Sequence, residues 1–422
     1  MTRPLACGID FGTSNSTVSV SGDAGNNLIS LEEGKTTLPS AIFFAQGMAP
    51  QYGRQAISSY LDGEDGRLMR GLKKILGTSL MNDKTIIAGK AVSFTDIIKT
   101  FISHLKNKAD HFAGQSIENV VLGRPVHFHD DDESADNAAQ ETLAAIAKDA
   151  GFCNIEFLYE PLAAAFAHES RIEEEKLSLV VDLGGGTSDF SVIKICRQNL
   201  FKTDRKDDIL STAGVRIGGT SFDGQLSLKC FMPSLGLGSQ YHDLFDKKKL
   251  MPVPSGVYRD LSDWAFVNMA QSKKAVNETL DIKRRASQED KIGRLLYVQQ
   301  NHLGHALLGE VEKTKIALTD EHTHIAGLKE LGPDFKVDVT REIFEEAIKT
   351  DVQRIEQTIH ECLLRARVSK EKIEIIVLTG GSTELPVINR MIENLFPHAL
   401  ISQGNKLDSV GLGLAYRAAN IF

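Results

Sequence analysis

The chain has 422 residues, of which 42% are hydrophobic and 25% are charged, a balance that is typical of globular proteins and excludes a fibrous chain. Its length predicts two or three domains and allows a large hydrophobic core without disulfide cross-links. The 56 acidic and 48 basic residues give a net charge of −8, which argues against a nucleic-acid-binding protein.

Cysteine usage and hydropathy indicate the compartment. The five cysteines are far apart and form no Cys-x-x-Cys pair, so neither a zinc site nor a disulfide framework is predicted. No apolar run is long enough to cross a bilayer, and residues 5–10 have the pattern of a strand rather than of a signal peptide. We therefore expect a cytoplasmic protein with no membrane or nucleic-acid partner.

The first predicted elements are two strands joined by a glycine-containing turn. Leu5 to Asp10 has the apolar pattern of a strand, and Thr17 to Val20 has that of a second. A helix is predicted over Ser93–Asp110, whose apolar residues recur on one face. Another is predicted over Ser134–Ala150, because acidic residues 130–133 precede it and a glycine follows it.

A second copy of this hairpin begins near residue 181. Val181 to Thr187 contains a strand end, an aspartate and a glycine-rich turn, and Asp189 to Ile193 has the pattern of the returning strand. Asp10 and Asp182 therefore occupy the same position in the two copies. Two similar halves predict two related lobes with a cleft between them.

Two further glycine-rich turns and several helices complete the pattern. One turn, Ile217–Thr220, follows the second hairpin, and the other, Thr379–Ser382, follows an apolar strand at residues 373–378. Helices are predicted from Thr340 onward, from Pro386 toward residue 396 and over residues 410–420. Residues 226–309 predict an inserted, mostly helical subdomain. Strands that alternate with helices indicate an α/β protein.

The glycine-rich turns indicate a phosphate site. Because glycine has no Cβ, a glycine-rich turn between two strands lets backbone N–H groups approach phosphate oxygens closely. An aspartate at the end of the preceding strand can hold water on a hard cation, and Mg²⁺ retains much of its water. Two such hairpins and two further glycine turns predict a site for a nucleoside triphosphate. The chain has no GxxxxGK[ST] motif, so it has no P-loop.

These motifs resemble those of the ATPase domain of DnaK-type (seventy-kilodalton heat-shock) chaperones, in the actin-like ATPase superfamily. Two segments are similar to the family's phosphate loops, one to the segment with its catalytic lysine, one to its Glu-Pro connection between lobes, and two to its adenosine contacts. In the same order, these segments are Gly8–Ser16, Val181–Asp189, Leu72–Gly77, Tyr159–Ala165, Glu312–Lys315 and Thr379–Thr383. The resemblance covers nearly the whole chain.

The resemblance implies an actin-like ATPase fold: two lobes of duplicated ribonuclease H-like domains with inserted subdomains. Lobe I would take residues 1–174, with an insertion at about residues 39–93. Lobe II would take residues 175–402, with a helical insertion at about residues 225–333. A helix within residues 403–422 would return to lobe I.

The resemblance also implies roles for individual residues. Asp10, Asp182 and Asp189 would hold a hydrated Mg²⁺ beside the phosphates of ATP or ADP. Lys73 would stabilise charge on the γ-phosphoryl group and orient the attacking water, and Glu160 would position that water or accept its proton. Thr187 and Asp182 would complete the catalytic set. The implied nucleotide contacts are Gly12, Thr13, Ser14, Gly184, Gly185, Gly186, Thr187, Gly218, Gly219, Thr220, Glu312, Lys315, Gly380, Gly381 and Ser382.

Three departures from the family pattern qualify this prediction. Glu384 stands where the family usually has an arginine that stacks on adenine, and losing that contact forfeits roughly 0.5–2 kcal/mol. The helix at residues 134–150 lacks the arginine of its family counterpart. The segments Met232–Ser239 and Asp260–Trp264 resemble the short YegD group, which lacks the peptide-binding half, so we expect neither the linker nor the β-sandwich of the full-length chaperones.

We therefore expect a monomeric, chaperone-like protein that hydrolyses ATP slowly and couples hydrolysis to lobe closure, with an unidentified protein partner or client. One alternative is a nucleotide-sensing scaffold with little or no ATPase activity, which Glu384 favours. A second is a small-molecule kinase of the same superfamily, although no acceptor-site motif is found. A third is an actin-like filament protein.

Overall fold

The computed structural model describes residues 4–22, 25–87, 89–128, 132–169, 172–202, 205–246, 248–332, 335–402 and 409–422. Residues 130 and 131 of the predicted acidic helix start, and residues 403–408 of the predicted C-terminal segment, lie outside this part of the chain. The fold divides into two compact units. The first comprises the chain up to Arg216 with Gln357–Thr383 and Met391–Phe422, and the second comprises Ile217–Glu356 and Glu384–Arg390.

Strands and helices alternate along the described residues. The strands are β1 (Ala6–Phe11), β2 (Asn15–Gly22), β3 (Gly25–Leu28), β4 (Thr37–Pro39), β5 (Ala41–Ala45), β6 (Gln51–Tyr52), β7 (Gly66–Arg70), β8 (Lys84–Ile87), β9 (Lys90–Ser93), β10 (Asn119–Arg124), β11 (Asn154–Tyr159), β12 (Lys176–Leu183), β13 (Ser188–Ile195), β14 (Ile209–Val215), β15 (Gln240–His242), β16 (Leu250–Pro252), β17 (Thr323–Gly327), β18 (Lys336–Thr340), β19 (Ile375–Thr379) and β20 (Leu400–Ser402). The helices are α1 (Gly53–Leu61), α2 (Phe94–Ala113), α3 (Glu133–Asp149), α4 (Glu160–Glu169), α5 (Gly219–Leu226), α6 (Gly256–Leu261), α7 (Val267–Ala270), α8 (Lys273–Lys283), α9 (Glu289–Gln300), α10 (Gly304–Asp320), α11 (Arg341–Ala366), α12 (Pro386–Leu395) and α13 (Ser409–Ile421).

The first unit contains two sheets with the same strand order. One runs β11-β10-β1-β2-β3, with β4 also paired to β2, and the other runs β20-β19-β12-β13-β14. In each sheet the central strand, β1 or β12, is antiparallel to the strand that follows it and parallel to β10 or β19. This duplication confirms the α/β class and the repeat that the two hairpins predicted. The predicted boundary near residue 174 falls between the two sheets, and the lobe boundaries stay a prediction.

The first sheet buries its apolar face under α2. Ile9, Phe11 and Val18 are at most 1% exposed and belong to the same core as Ile98 and Phe101 of α2. The Phe11 and Phe101 rings lie 5.7 Å apart, in tilted contact. Because this core anchors β1 along its length, the turn after Phe11 is held at a fixed place.

The helices predicted from apolar periodicity are confirmed, with shifts at their ends. Ser93 caps α2 instead of beginning it, since its hydroxyl accepts a hydrogen bond from the Asp96 N–H at 3.1 Å, and α2 runs to Ala113. Asp132 caps α3 in the same way, by accepting from the Ala135 N–H at 2.9 Å. The structure also has helices at the positions expected from Thr340 onward, after Pro386 and over residues 410–420.

The last helix, α13, crosses α4 and β1 at very short range. A Cβ on Gly413 would lie 1.8 Å from the carbonyl oxygen of Ala163, and a Cβ on Gly8 would lie 2.5 Å from the Leu414 Cβ. A side chain at either glycine would push the backbones apart. The Gly-x-Gly sequence in α13 is therefore explained by packing.

The second unit contains α5 to α10, the hairpins β15–β16 and β17–β18, and the first part of α11. Residues 226–309 hold α6 to α9 together with the β15–β16 hairpin. Residues 39–93, the other predicted insertion, contain α1, the three-stranded sheet β6-β5-β7 and the β8–β9 hairpin, and they belong to the first unit. Within the described ranges, no helix is both long enough and apolar enough to cross a bilayer.

Candidate active site

Two equivalent turns carry the first predicted site residues. Residues 12–14 join β1 to β2, and residues 184–187 join β12 to β13. Asp10 and Asp182 are the penultimate residues of their strands and lie opposite Thr17 and Asp189 in the strand register. The second turn is closed by a hydrogen bond from the Gly184 N–H to the Thr187 carbonyl at 3.0 Å. The sequence repeat thus corresponds to the same geometry in both sheets.

The two turns lie in direct contact. A Cβ built on Gly185 would be 1.7 Å from the Ser14 Oγ and 2.9 Å from the Ser14 Cβ. Such distances leave no room for a side chain at residue 185 unless the turns separate, so the backbone of the second turn lies against the hydroxyl of the first. The two turns are therefore neighbours, and backbone N–H groups of such turns are the donors that a phosphate site requires.

A third glycine turn packs against the second. Gly380 has φ +82°, and its Cβ would lie 2.3 Å from the Leu183 carbonyl oxygen and 2.8 Å from an Asp182 carboxylate oxygen. Both the backbone conformation and the space available require glycine there. Ser382 donates a hydrogen bond to the Gly184 carbonyl at 3.3 Å. The predicted residues 380–382 therefore join the hairpin turns at one site.

A lysine–glutamate pair lies beside the aspartates. Lys73 is in a short 3₁₀ turn at Leu72–Ile75, and Glu160 is the first residue of α4. The Lys73 Nζ donates to the Glu160 Oε1 at 2.5 Å, and the two side chains are only 10% and 12% exposed. Burial lowers the pKa of Lys73, but the carboxylates of Glu160, Asp10 and Asp182 outweigh burial and raise it. Lys73 is therefore held in its charged form.

The carboxylates around Lys73 carry more charge than one ammonium can balance. Burial raises the pKa of Asp10 to about 7, with Glu160 adding to the effect and Lys73 opposing it. Burial also raises the pKa of Asp182 well above its usual range, and the neighbouring Glu160, Asp189 and Asp10 raise it further. A bound cation would favour the ionised carboxylates.

The predicted cation ligands, Asp10, Asp182 and Asp189, offer carboxylate oxygens. Among the residues that the structure describes, no three His, Cys, Asp or Glu side chains converge as direct metal ligands. Thr187 donates to the Asp189 Oδ2 at 2.9 Å, which orients that carboxylate. Carboxylate oxygens can also accept hydrogen bonds from the water that Mg²⁺ gives up reluctantly.

The predicted nucleoside contacts are found mainly in the second unit. Gly218 caps α5, and the Lys315 Nζ donates to the Gly219 carbonyl at 3.2 Å. Lys315 also pairs with Asp223 at 2.7 Å, with the two side chains 12% and 1% exposed. The structure thus brings the Gly218–Thr220 turn and Lys315 together through Asp223, which was not predicted. Glu312 lies on α10 and is partly exposed, and Glu384 is exposed.

Sequence reasoning missed a buried arginine next to Glu160. Arg124, at the end of β10, lies opposite Tyr159 and pairs with Asp136 of α3 at 2.7 Å. Its guanidinium lies over the Tyr159 ring, 5.2 Å from the centroid. The helix at residues 134–150 therefore contacts an arginine that comes from a neighbouring strand. The available signal was a charged residue directly after the apolar run at residues 120–123.

Comparisons with a family model and with individual proteins agree with each other. A family model described as Hsp70 protein matches residues 6–234 and 289–421. The chain is 27% identical over 409 residues to the chaperone protein DnaK of Mycoplasmoides gallisepticum, covering 93% of this chain and 56% of that protein. It is 25% identical to the DnaK proteins of Mycoplasmopsis agalactiae, over 425 residues, and Thermosipho melanesiensis, over 422 residues, in each case covering 99% of this chain and 59% of the relative. The chain spans less than two thirds of the length of these relatives.

Proposed function

Because the chain belongs to the Hsp70 protein family, we propose that it is a chaperone-like protein that binds Mg-ATP and slowly hydrolyses it to ADP and phosphate. The observation that carries this proposal is the Lys73–Glu160 pair, at 2.5 Å, beside Asp10 and Asp182 and the glycine turns. A lysine held charged among carboxylates, next to turns whose backbones pack too closely for a Cβ at Gly185 or Gly380, suits charge stabilisation in phosphoryl transfer.

The phosphate groups would bind at the three turns of the first unit. Backbone N–H groups of residues 12–14 and 184–187, with the hydroxyls of Thr13, Ser14 and Thr187, would donate to the phosphate oxygens. Asp10, Asp182 and Asp189 would hold the water of a Mg²⁺ ion. When bound, the ion would neutralise part of the negative charge of the phosphates and of these carboxylates.

Hydrolysis would depend on Lys73 and Glu160 acting as a pair. The Lys73 ammonium would stabilise charge on the γ-phosphoryl oxygens, and the Glu160 carboxylate would fix the direction of that ammonium. Glu160 has a second oxygen that can accept a hydrogen bond from the attacking water and draw it into line. Positioning and charge stabilisation supply most of the acceleration in this reaction class.

The second unit would bind the nucleoside part through Gly218, Gly219, Thr220, Glu312 and Lys315. We further propose that hydrolysis is coupled to closure of the two lobes and that the protein works in the cytoplasm with a protein partner or client. These proposals rest on membership of the family. The exposed Glu384 favours a nucleotide-sensing scaffold with little ATPase activity as the second candidate.

The test is titration of the purified protein with Mg-ATP and Mg-ADP, with phosphate release followed in the same sample. We expect binding of both nucleotides, slow phosphate release, and much weaker binding in excess chelator. Binding without phosphate release would favour the scaffold, and stimulation of turnover by a sugar would favour a kinase. No binding of either nucleotide would refute the proposal. When Lys73→Ala is tested in the same way, Lys99→Ala is the control for loss of a positive charge. It removes a 41%-exposed lysine from α2.

A further inference from the structure

We propose that a buried ionic cluster, the Arg205 clamp, fixes α4 along its own axis and thereby holds Glu160 against Lys73. The clamp consists of Glu169, Arg205 and Asp208. Arg205 would be a positioning residue for the proposed hydrolysis, so this inference rests on the proposed function for its catalytic readout.

The clamp is almost completely buried and its charges are paired. Arg205 donates to both carboxylate oxygens of Glu169, at 2.9 and 2.6 Å, and also to Asp208. The three side chains are 1–5% exposed. Lys202, whose side chain reaches the protein surface, pairs with Asp208 at a distance of 2.9 Å. The cluster therefore has two cations that balance two anions. A two-pronged guanidinium–carboxylate contact of this kind is directional as well as strong.

The clamp lies at the opposite end of α4 from Glu160. Glu160 is the first residue of α4 and Glu169 is the last, so a rigid helix about 14 Å long connects them. The Arg205 guanidinium also lies over the Phe166 ring, 5.3 Å from its centroid, one turn before Glu169. A shift of α4 along its axis would therefore break the clamp contacts and move Glu160 by the same distance.

Apolar packing holds α4 in the core through Leu162 and Phe166 as well as through an alanine run, but this packing is less directional than the hydrogen bonds of the clamp. The middle of α4 is the run Ala163–Ala165, which is fully buried, and α13 crosses it through Gly413. Small side chains form shallow ridges, and ridges that interlock are what prevents one helix from sliding past another. Burial of apolar surface is also non-directional. The fixed direction of the Arg205 hydrogen bonds adds a directional constraint.

The clamp is also tied to the helix that crosses α4. Arg417 of α13 donates a hydrogen bond to the Lys202 carbonyl at 3.0 Å. The segment that carries Lys202, Arg205 and Asp208 joins β13 to β14, in the same sheet as Asp182 and Asp189. The clamp therefore connects the helix of Glu160 to the sheet that carries these two aspartates.

A stabilising role alone is a weaker explanation. Taking charges out of water costs free energy that their mutual attraction often only balances, and apolar replacement of a buried ion cluster is often neutral or stabilising. The best-attested use of such a cluster is to select one packing arrangement among several. A variant that replaces the whole clamp by apolar residues therefore separates position from stability.

The experiment compares wild type with the variant Glu169→Leu/Arg205→Met/Asp208→Leu. The control is Lys106→Met/Asp110→Asn, which removes a partly buried ion pair, at 2.7 Å, within α2. We expect the clamp variant to remain folded and to bind Mg-ADP like wild type. Its single-turnover hydrolysis of ATP should fall by roughly tenfold or more, because small displacements of a positioned group reduce rates strongly. The control should hydrolyse at the wild-type rate.

A second readout needs no nucleotide. Lys73 is protected by its pair with Glu160, so mass spectrometry should show slow acylation of Lys73 in wild type and several-fold faster acylation in the clamp variant. Arg205→Lys, which keeps the charge and loses the two-pronged contact, should give a smaller increase and serves if the triple variant fails to fold. Unchanged Lys73 acylation in either folded variant would overturn the inference. If wild type neither binds nor hydrolyses ATP, the proposed function fails while acylation still decides the role of the clamp.

Discussion

The contact between the two hairpin turns gives the sharpest prediction for Gly185→Ala. The added Cβ would lie 1.7 Å from the Ser14 Oγ and 2.9 Å from the Ser14 Cβ. Rotation of the Ser14 hydroxyl relieves the first overlap but leaves the second. Because carbon atoms pack at about 3.5–4.0 Å, the two turns must separate by a large fraction of an ångström. We expect a loss of about 1–3 kcal/mol of stability from overpacking.

The effect on the proposed activity should be larger than the effect on stability. A displacement approaching 1 Å in a positioned site can lower a rate by about 10²-fold, so phosphate release should fall by roughly that factor. Denaturant unfolding gives the free energy of unfolding, calorimetry gives the Mg-ADP affinity, and single-turnover measurements give the rate.

The neighbouring glycine provides the matched control. A Cβ on Gly184 would meet only the Thr187 carbonyl oxygen, at 3.5 Å, and both alanine variants gain the same restriction of the unfolded chain. The difference between their unfolding free energies therefore isolates the contact with Ser14. Adding Ser14→Gly to Gly185→Ala removes both overlapping atoms and should recover most of the lost stability. Equal stability of the two alanine variants would refute the reasoning.

Four further predictions concern single side chains. Lys73→Ala should abolish most phosphate release yet keep Mg-ADP affinity near wild type, because a transition-state contact affects turnover more than ground-state binding; equal losses in calorimetry and kinetics would make it a binding residue. Gly413→Ala should destabilise the protein in denaturant unfolding, since its Cβ would meet the backbone of α4 at 1.8 Å. The control Gly309→Ala has open space around its Cβ within α10 and should stabilise the protein by about 0.5–1 kcal/mol. Glu384→Arg should tighten ATP and ADP binding several-fold in calorimetry, but not binding of bare triphosphate, because a stacking cation is worth about 1 kcal/mol; unchanged ADP affinity would place residue 384 away from the base. Burial and a nearby lysine lower the pKa of His104 from 6.5 to about 4. The contribution of neutral His104 to stability is therefore present above pH 6.5 and is lost as the pH falls toward 4. His104→Phe should flatten the dependence of the unfolding free energy on pH in that window.

Local patterns in the sequence predicted most of the secondary structure. The helix that became α2 was predicted because Ile97, Phe101 and Leu105 recur at helical spacing, and all three are fully buried. Its ends were less accurate, since Ser93 is a cap, and capping depends on the position of a single hydroxyl. The hairpin turns were recognisable because Asp10 and Asp182 precede glycine in both copies. Each of these signals lies within a few neighbouring residues.

The site was predictable only as a set of candidates. Lys73 and Glu160 are 87 residues apart, and only the folded chain makes them a pair. Asp223 was not predicted as the partner of Lys315, because an isolated acidic residue in a sequence has the pattern of an exposed surface group. The structure buries it to 1% exposure and gives it a lysine.

The sequence by itself determined the duplicated hairpins, the glycine turns, the helices and the family resemblance, because backbone conformation and apolar periodicity are properties of short segments. Only the tertiary structure decided which charges are buried and how closely backbones approach. Arg205 has no sequence signal, yet the fold places it between Glu169 and Asp208 at 2% exposure. Gly413 is a required glycine only because α4 passes within 1.8 Å of where its Cβ would be. Such contacts join segments that are distant in the chain, so their energies arise from packing and desolvation that no local pattern contains.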